Sequence, residues 1–166
     1  MNTQVARKLL ANMPDEVFAI YIEPLIQTHG WPFTSLEAMP MSSEALRWFQ
    51  MFDRQSLQTI SQLSWERHTA RFSFTAFHPR SQQVIAAIIE HHSGGFHAAI
   101  ANVADTAAKF FRARDYIART GMMPVPVILQ QDPLGLRILD GNHRLAAMAS
   151  FPNSNAGIVD CWIGSL

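Results

Sequence analysis

Apolar residues recur at intervals of three or four over the first sixty positions, a spacing that predicts helices. Helices are predicted over residues 3–28, where Pro24 kinks or ends the helical run, near residue 34, over 42–52 and over 56–63. This region is rich in Trp, Phe and Met, and core packing against the following domain explains such residues better than a ligand groove does. We therefore predict a helical extension over residues 1–64.

Beyond residue 64 the pattern changes to short apolar or alternating segments with helical segments between them, as in a mixed α/β chain. The predicted strands are 69–77, 125–129, 136–139 and 158–163. The predicted helices are 82–92, 96–120 and 142–150, with Ser81 as the N-cap of the first. The fold class expected from this order is α+β (mixed α/β), with the domain spanning residues 65–166.

The composition is that of a globular protein, because 48% of the 166 residues are hydrophobic and 16% are charged. Lys plus Arg equals Asp plus Glu, 13 each, which argues against a broad electrostatic surface for nucleic acid. Cys161 is the only cysteine, so no internal disulfide or thiolate zinc cluster can form. The first residues do not resemble a signal peptide, and no apolar run nears the ~20 residues of a membrane span. We expect a cytoplasmic protein without a membrane partner.

One turn near the end of the chain carries the functional argument. The apolar run 136–139 enters Asp140-Gly141, and Asn142, His143 and Arg144 open the helix that follows. Backbone N–H groups, an imidazole and a guanidinium then meet at the positive end of a helix, which suits a phosphate or another anion. Cationic side chains in a first helical turn oppose the helix dipole, and a bound anion would resolve that conflict.

The order of elements around this turn resembles the ParB/sulfiredoxin superfamily. The matching pattern is a helix end at 116–121, the Pro-bearing strand 125–129, the turn 132–135, the Asp140-Gly141-Asn142-His143-Arg144 motif and a final strand at 157–163. The resemblance implies a small sheet with flanking helices. It also implies that the backbone of Gly141 and Asn142, with the side chains of His143 and Arg144, binds a nucleoside di- or triphosphate (ATP, ADP or CTP) together with Mg²⁺.

Departures from the family pattern narrow the function. Sulfiredoxins have a catalytic cysteine immediately before the His-Arg pair, where this chain has Asn142, so sulfinic-acid reduction is not expected. Cys161 lies in the last predicted strand, where a packed core thiol is the preferred interpretation. Partition-type ParB proteins have Glu-Arg-Arg after the glycine and a later helix-turn-helix domain, and the chain has neither, so site-specific DNA binding for partition is not expected.

Other polar residues are second-tier candidates. His78, Arg80 and Ser81 follow the first predicted strand, where the family binds nucleotide, although an ordinary strand-to-helix turn explains them equally well. Glu66 is a candidate acid or base, with a surface ion cluster as the simpler interpretation. Three histidines (His91, His92 and His97) straddle a Ser-Gly-Gly break without a regularly spaced carboxylate. We interpret them as solvated helix-end residues, and no metal ligand is predicted.

Three functions remain open at this point. In the first, the protein hydrolyses a nucleoside triphosphate or transfers a phosphoryl group: His143 and Arg144 neutralise the phosphate, and Asp140 orients the turn or binds the metal. In the second, the same turn forms a metal-dependent DNA nuclease with His143 as acid or base, so DNA is a candidate partner. In the third, the bound nucleotide only switches contacts between the helical extension and a protein partner.

Overall fold

The computed structural model describes residues 2–36, 42–93, 103–151 and 158–166. The α+β class is confirmed. The chain forms two compact units, one of Met1–Glu66 with Gly164–Leu166 and the other of Arg67–Ile163. Helices of the first unit are α1 (Asn2–Leu9), α2 (Asp15–Val17), α3 (Glu23–His29), α4 (Ser43–Met51) and α5 (Leu57–Ser61), with a π-helical turn over Phe18–Ile22 between α2 and α3.

Pro24 does not end the helical backbone that begins at Asp15. It lies in the first turn of α3, directly after the π-helical turn, and the Glu23 N–H donates to the Phe18 carbonyl five residues back. Because proline has no N–H to donate, a widened turn before it lets the helical backbone continue to His29.

The aromatic residues of the first unit form its core. Trp31, Phe33, Trp48 and Phe52 are all buried, and the rings of Trp31 and Trp48 meet edge to face with centroids 4.8 Å apart. The indole Nε1 of Trp48 donates to the carbonyl of Gly30 at 3.0 Å, so the polar edge of this fully buried ring is satisfied. These aromatic residues therefore pack in a core, as expected, and the contacts given above are among residues of the first unit itself.

A four-stranded sheet has the order β1-β4-β2-β3. Its strands are β1 (Ser64–Ala70), β2 (Val127–Asp132), β3 (Gly135–Asp140) and β4 (Val159–Ser165). Strands β2 and β3 form an antiparallel hairpin in which Gln130 lies opposite Arg137 and Asp132 opposite Gly135. Helices of the second unit are α6 (Pro79–His92), α7 (Val103–Thr120) and α8 (Asn142–Ala149).

Helix α8 is anchored by a run of buried apolar residues, Leu145–Met148, and both α6 and α7 pack against it. The same core contains Val127 of β2 and Ile138 of β3. Because α8 and β3 are packed in the same core, the N-terminus of α8 lies beside the end of β3 and the turn between them is fixed at both ends.

The prediction for the first strand of the domain is wrong in its bounds. The strand is Ser64–Ala70, and the rest of the predicted segment 69–77 contains a 3-10 turn over Phe74–Ala76. Five of the seven residues of β1 are exposed, so the strand shows no alternation of buried and exposed positions. The alternating phenylalanines that suggested a strand instead lie in a loop, where the rings of Phe72 and Phe77 pack together at 5.9 Å.

The predicted cap of the following helix is also wrong. Helix α6 begins at Pro79, and its N-cap is His78, whose Nδ1 accepts the N–H of Arg80 at 3.2 Å. Ser81 lies inside the helix and is buried, and its hydroxyl accepts the N–H of Ile138 at 3.1 Å. Because β3 is an edge strand, no strand lies on its outer side to accept this backbone N–H, and the Ser81 hydroxyl accepts it instead.

The second predicted strand, 125–129, is offset from β2, whereas the third, 136–139, lies within β3 and is one residue shorter at each end. Strand β2 begins at Val127 and extends to Asp132, past the predicted end at residue 129, because residues 130–132 continue the hairpin ladder.

Residues 96–102 of the predicted long helix lie outside the described residues. Within the described part of the chain, no helix combines the length and apolar character needed to cross a membrane.

Candidate functional site

Gly141 forms the junction between the end of β3 at Asp140 and the start of α8 at Asn142. It is the N-cap of α8 and has φ +105°, a left-handed conformation that favours glycine. Its carbonyl accepts the N–H of Leu145 at 2.9 Å, which closes the first helical turn. Glycine has no side chain with which to cap the first N–H groups of the helix, so these donors face the turn without an N-cap side chain.

Packing provides a second reason for glycine at this position. A Cβ atom on Gly141 would lie 2.6 Å from Cγ1 of Val127 and 3.1 Å from Nη2 of Arg144. The space on that side of the turn is therefore filled by protein.

Arg144 turns back over the cap of its own helix. Its Nη2 donates to Oδ2 of Asp140, and its Nη1 donates to the carbonyl of Val125 at 3.4 Å. The Arg144 side chain is only 15% exposed, whereas that of Asp140 is 40% exposed. The guanidinium is thus held between the end of β3 and the segment that leads into β2.

This ion pair changes the charge argument made from sequence. A cation in the first helical turn is unfavourable by itself, and the sequence interpretation expected a bound anion to balance it. Here the Asp140 carboxylate balances it, and an acid beside a helix N-terminus is itself favoured by the dipole. Arg144 therefore has a structural partner in the protein itself.

Asn142 and His143 complete the turn, and both are half-buried. The structure thus brings together the five residues of the motif, Asp140 to Arg144, around one helix N-terminus. Sequence reasoning missed the Val125 carbonyl and the Val127 side chain. The signal for the Asp140–Arg144 pair was opposite charge four residues apart, although Asp140 ends β3 and the pair therefore spans the N-cap of α8 and not a helix face.

The second-tier residues lie elsewhere. His78 is near the opposite end of β3, where its N–H donates to the Leu136 carbonyl at 2.9 Å and its Nε2 is 3.9 Å from Oδ1 of Asp132. Four residues of extended chain separate Leu136 from Asp140, or roughly 13 Å. Ser81 bonds to the N–H of Ile138, midway along β3, and Arg80 is its neighbour in the first turn of α6.

Asp132 organises that opposite end. Its Oδ1 accepts the N–H of Leu134 at 2.9 Å, and its Oδ2 accepts Nε of Arg137 at 2.8 Å. The backbone hydrogen bond from Leu134, followed by the bond and charge of Arg137 and the charge of His78, lowers the pKa of Asp132 even though burial opposes the shift. His78 uses Nδ1 to cap α6 and turns Nε2 toward Asp132, so this cluster ties the helix to the hairpin.

Glu66, the remaining second-tier candidate, lies on a different strand from the motif turn. Glu66 is exposed on β1, which β4 and β2 separate from β3 in the sheet. Its neighbour Arg67 pairs through Nη2 with Oδ2 of Asp160 at 2.6 Å. The described residues contain no group of three His, Cys, Asp or Glu placed to hold a metal ion.

Two further residues contact the core of the second unit, His92 half-buried and Cys161 fully buried. The interpretation of solvated histidines is wrong for His92, whose ring stacks on Phe110 at 4.5 Å and whose pKa is lowered by burial and by the nearby His91. His97 lies outside the described residues. Cys161 is fully buried, as expected for a core thiol, and burial raises its pKa to about 11.

Comparisons with models of protein families, with curated proteins and with solved structures find no match to this chain.

Proposed function

We propose that the Asp140–Arg144 turn binds the phosphate groups of a nucleoside di- or triphosphate together with Mg²⁺, and that the protein hydrolyses the nucleotide or transfers a phosphoryl group from it. The observation that carries this proposal is the position of the Arg144 guanidinium over the N-cap of α8, 3.1 Å from the point where a Gly141 Cβ would lie. A guanidinium and the first N–H groups of a helix are two independent attractors of phosphate. The likeness of the Asp-Gly-X-His-Arg motif to the ParB/sulfiredoxin superfamily supports a nucleotide as the anion.

Binding in this proposal is an exchange of partners. A phosphate oxygen takes the place of Asp140 on the Arg144 guanidinium, because both anions compete for the same N–H donors. The released Asp140 carboxylate, already 40% exposed, then faces the bound phosphates. Carboxylate and phosphate oxygens are the ligands that Mg²⁺ prefers, so Asp140 is suited to hold the ion against the nucleotide.

The turn supplies two contributions to phosphoryl transfer. Arg144 and the helix N-terminus stabilise negative charge on the transferring phosphate, and Asp140 would hold Mg²⁺, which would supply further neutralisation of that charge. His143, adjacent to Arg144 in the same turn, transfers a proton to or from the reacting oxygen. In hydrolysis, the oxygen of water bonds to phosphorus as the bond to the leaving phosphate oxygen breaks.

The first test is calorimetric titration of ATP, ADP and CTP, each with and without Mg²⁺, into the wild type and two arginine variants. Arg144→Ala removes a charge-assisted hydrogen bond, and we expect affinity to fall by roughly 10- to 100-fold. Arg119→Ala removes the same charge from the exposed end of α7, where Nε donates to the carbonyl of Asp115 at 3.2 Å, and serves as the matched control. Absence of binding by every nucleotide, or equal losses in the two variants, contradicts the proposal.

The second test concerns the partner exchange. Asp140→Asn removes the competitor for Arg144, so nucleotide affinity without Mg²⁺ should rise, while the gain on adding Mg²⁺ should disappear. Release of inorganic phosphate from ATP should fall in Asp140→Asn and in His143→Ala. If Asp140→Asn weakens binding without Mg²⁺, Asp140 and the phosphate do not compete and the exchange is wrong.

A further inference from the structure

Three partly exposed apolar residues lie near the proposed phosphate site, and one of them, Val125, bonds to Arg144 through its carbonyl. Met122 and Val125 are 56% and 38% exposed, and Ile158 is 42% exposed. Met122 and Ile158 are paired in a parallel β-bridge, so these two side chains lie next to each other at the start of β4. The segment 121–128 contains no charged residue. We call Met122, Val125 and Ile158 the apolar platform.

The platform is continuous with the phosphate site through the backbone. The carbonyl of Val125 accepts Nη1 of Arg144, so the residue at the platform's end directly touches the guanidinium proposed to bind phosphate. Two residues further on, Val127 packs under Gly141 at the cap of α8. A ligand held by phosphate at the turn therefore has the platform beside it.

The segment that carries the platform is held in place at both ends. Thr120 Oγ1 accepts the N–H of Met122 at 3.2 Å, and the Gly121 N–H donates to the Ile117 carbonyl at 2.8 Å. Met123 points into the core and Val127 is fully buried. Exposed apolar side chains on an anchored backbone are a preformed surface, which costs little entropy to use on binding.

We propose that the apolar platform binds the base of the nucleotide whose phosphates occupy the Asp140–Arg144 turn, an inference that rests on the proposed function. A methionine thioether is polarisable and makes favourable contacts with aromatic rings, and branched aliphatic side chains cover the rest of a planar base. An apolar surface without charge contacts the face of a base and makes no hydrogen bonds to its edge. The substrate class is therefore nucleotides with weak base selectivity, with purines bound more tightly than pyrimidines because of their larger area.

The test compares ATP with inorganic tripolyphosphate, which carries the same kind of phosphate chain without a base, by calorimetry on the full chain. We expect ATP to bind roughly tenfold more tightly, within the range of base stacking on protein side chains. Met122→Ser should bring the affinity for ATP down toward that of tripolyphosphate and leave tripolyphosphate binding unchanged. Leu134→Ser is the matched control, because Leu134 is 67% exposed in the β2–β3 turn, at the far end of the hairpin.

Each outcome decides the matter. Equal binding of ATP and tripolyphosphate by the wild type overturns the platform but leaves the phosphate site standing, whereas binding of neither ligand refutes the proposed function itself. An equal loss of both ligands in Met122→Ser assigns Met122 a structural role only. Met122→Gln, closer in size, replaces that variant if it fails to fold. If Met122→Ser leaves ATP affinity unchanged, the inference is wrong, and a change from dimer to monomer in light scattering would then show that the platform binds a second copy of the chain.

Discussion

Replacement of Gly141 by alanine tests why the turn contains glycine. The residue has φ +105°, and the added Cβ would lie 2.6 Å from Cγ1 of Val127. Gly121 offers a matched control in the same unit: it has φ +70°, and a Cβ there would meet nothing within 4 Å. The pair therefore separates the cost of backbone conformation from the cost of crowding.

The expected magnitudes follow from the two geometries. A left-handed conformation costs an alanine about 1–2 kcal/mol, which is partly offset by about 0.4–1 kcal/mol from the reduced freedom of the unfolded chain. Gly121→Ala should therefore lower the free energy of unfolding by roughly 1 kcal/mol. Gly141→Ala adds the overpacking of a buried contact, about 1–3 kcal/mol, for a total of roughly 2–4 kcal/mol.

Urea denaturation followed by circular dichroism measures both variants, and Val127→Ala completes a double-mutant cycle with Gly141→Ala. Val127→Ala removes the atom that the new Cβ meets, so the double variant should be more stable than the sum of the two single losses predicts. If Gly141→Ala costs no more than Gly121→Ala, or the cycle shows no coupling, the packing argument fails. Glycine would then be required for another reason, such as approach of the ligand.

Three further predictions concern the core and the opposite end of β3. Ser81→Ala leaves the Ile138 N–H without its acceptor in the interior, so the free energy of unfolding should fall by about 1–3 kcal/mol in urea denaturation. The lowered pKa of Asp132, caused first by the Leu134 N–H, means that its stabilising contribution is complete above its unfolded pKa of about 3.9 and is lost as pH falls through the lower folded value. Asp132→Asn should therefore flatten the acid side of the stability profile between roughly pH 5 and pH 2, and an unchanged profile would contradict this. Cys161 should react with a thiol reagent at pH 8 only after denaturation, because its pKa is raised to about 11 in the folded protein.

Local signals in the sequence predicted the elements around the site. Asp132, Pro133 and Gly135 specify a tight turn by their own conformational preferences, so the β2–β3 hairpin could be predicted without knowledge of its partners. The helix after Gly141 follows similarly from a glycine at its start and a run of strong helix formers. Each of these signals acts within a few residues.

The features that sequence reasoning missed depend on contacts between distant segments. Ser81 resembles an N-cap by residue type, but its hydroxyl is required by the unpaired edge of β3, 57 residues away in the chain. His78 caps α6 in its place, although histidine is not among the preferred N-cap residues. Strand β1 could not be recognised from alternation, because five of its seven residues are exposed.

Asp140 also sets which anions can occupy the proposed site. A ligand must displace a carboxylate that already satisfies Arg144 and already benefits from the dipole of α8. An anion of similar charge gains little from this exchange, whereas a polyphosphate brings several charges to the same donors and leaves Asp140 free to bind Mg²⁺. The resident carboxylate thus favours di- and triphosphates over singly charged anions. If the proposed site binds nucleotide, this selectivity comes from the competition of Asp140 for Arg144 and not from the charge of Arg144 alone.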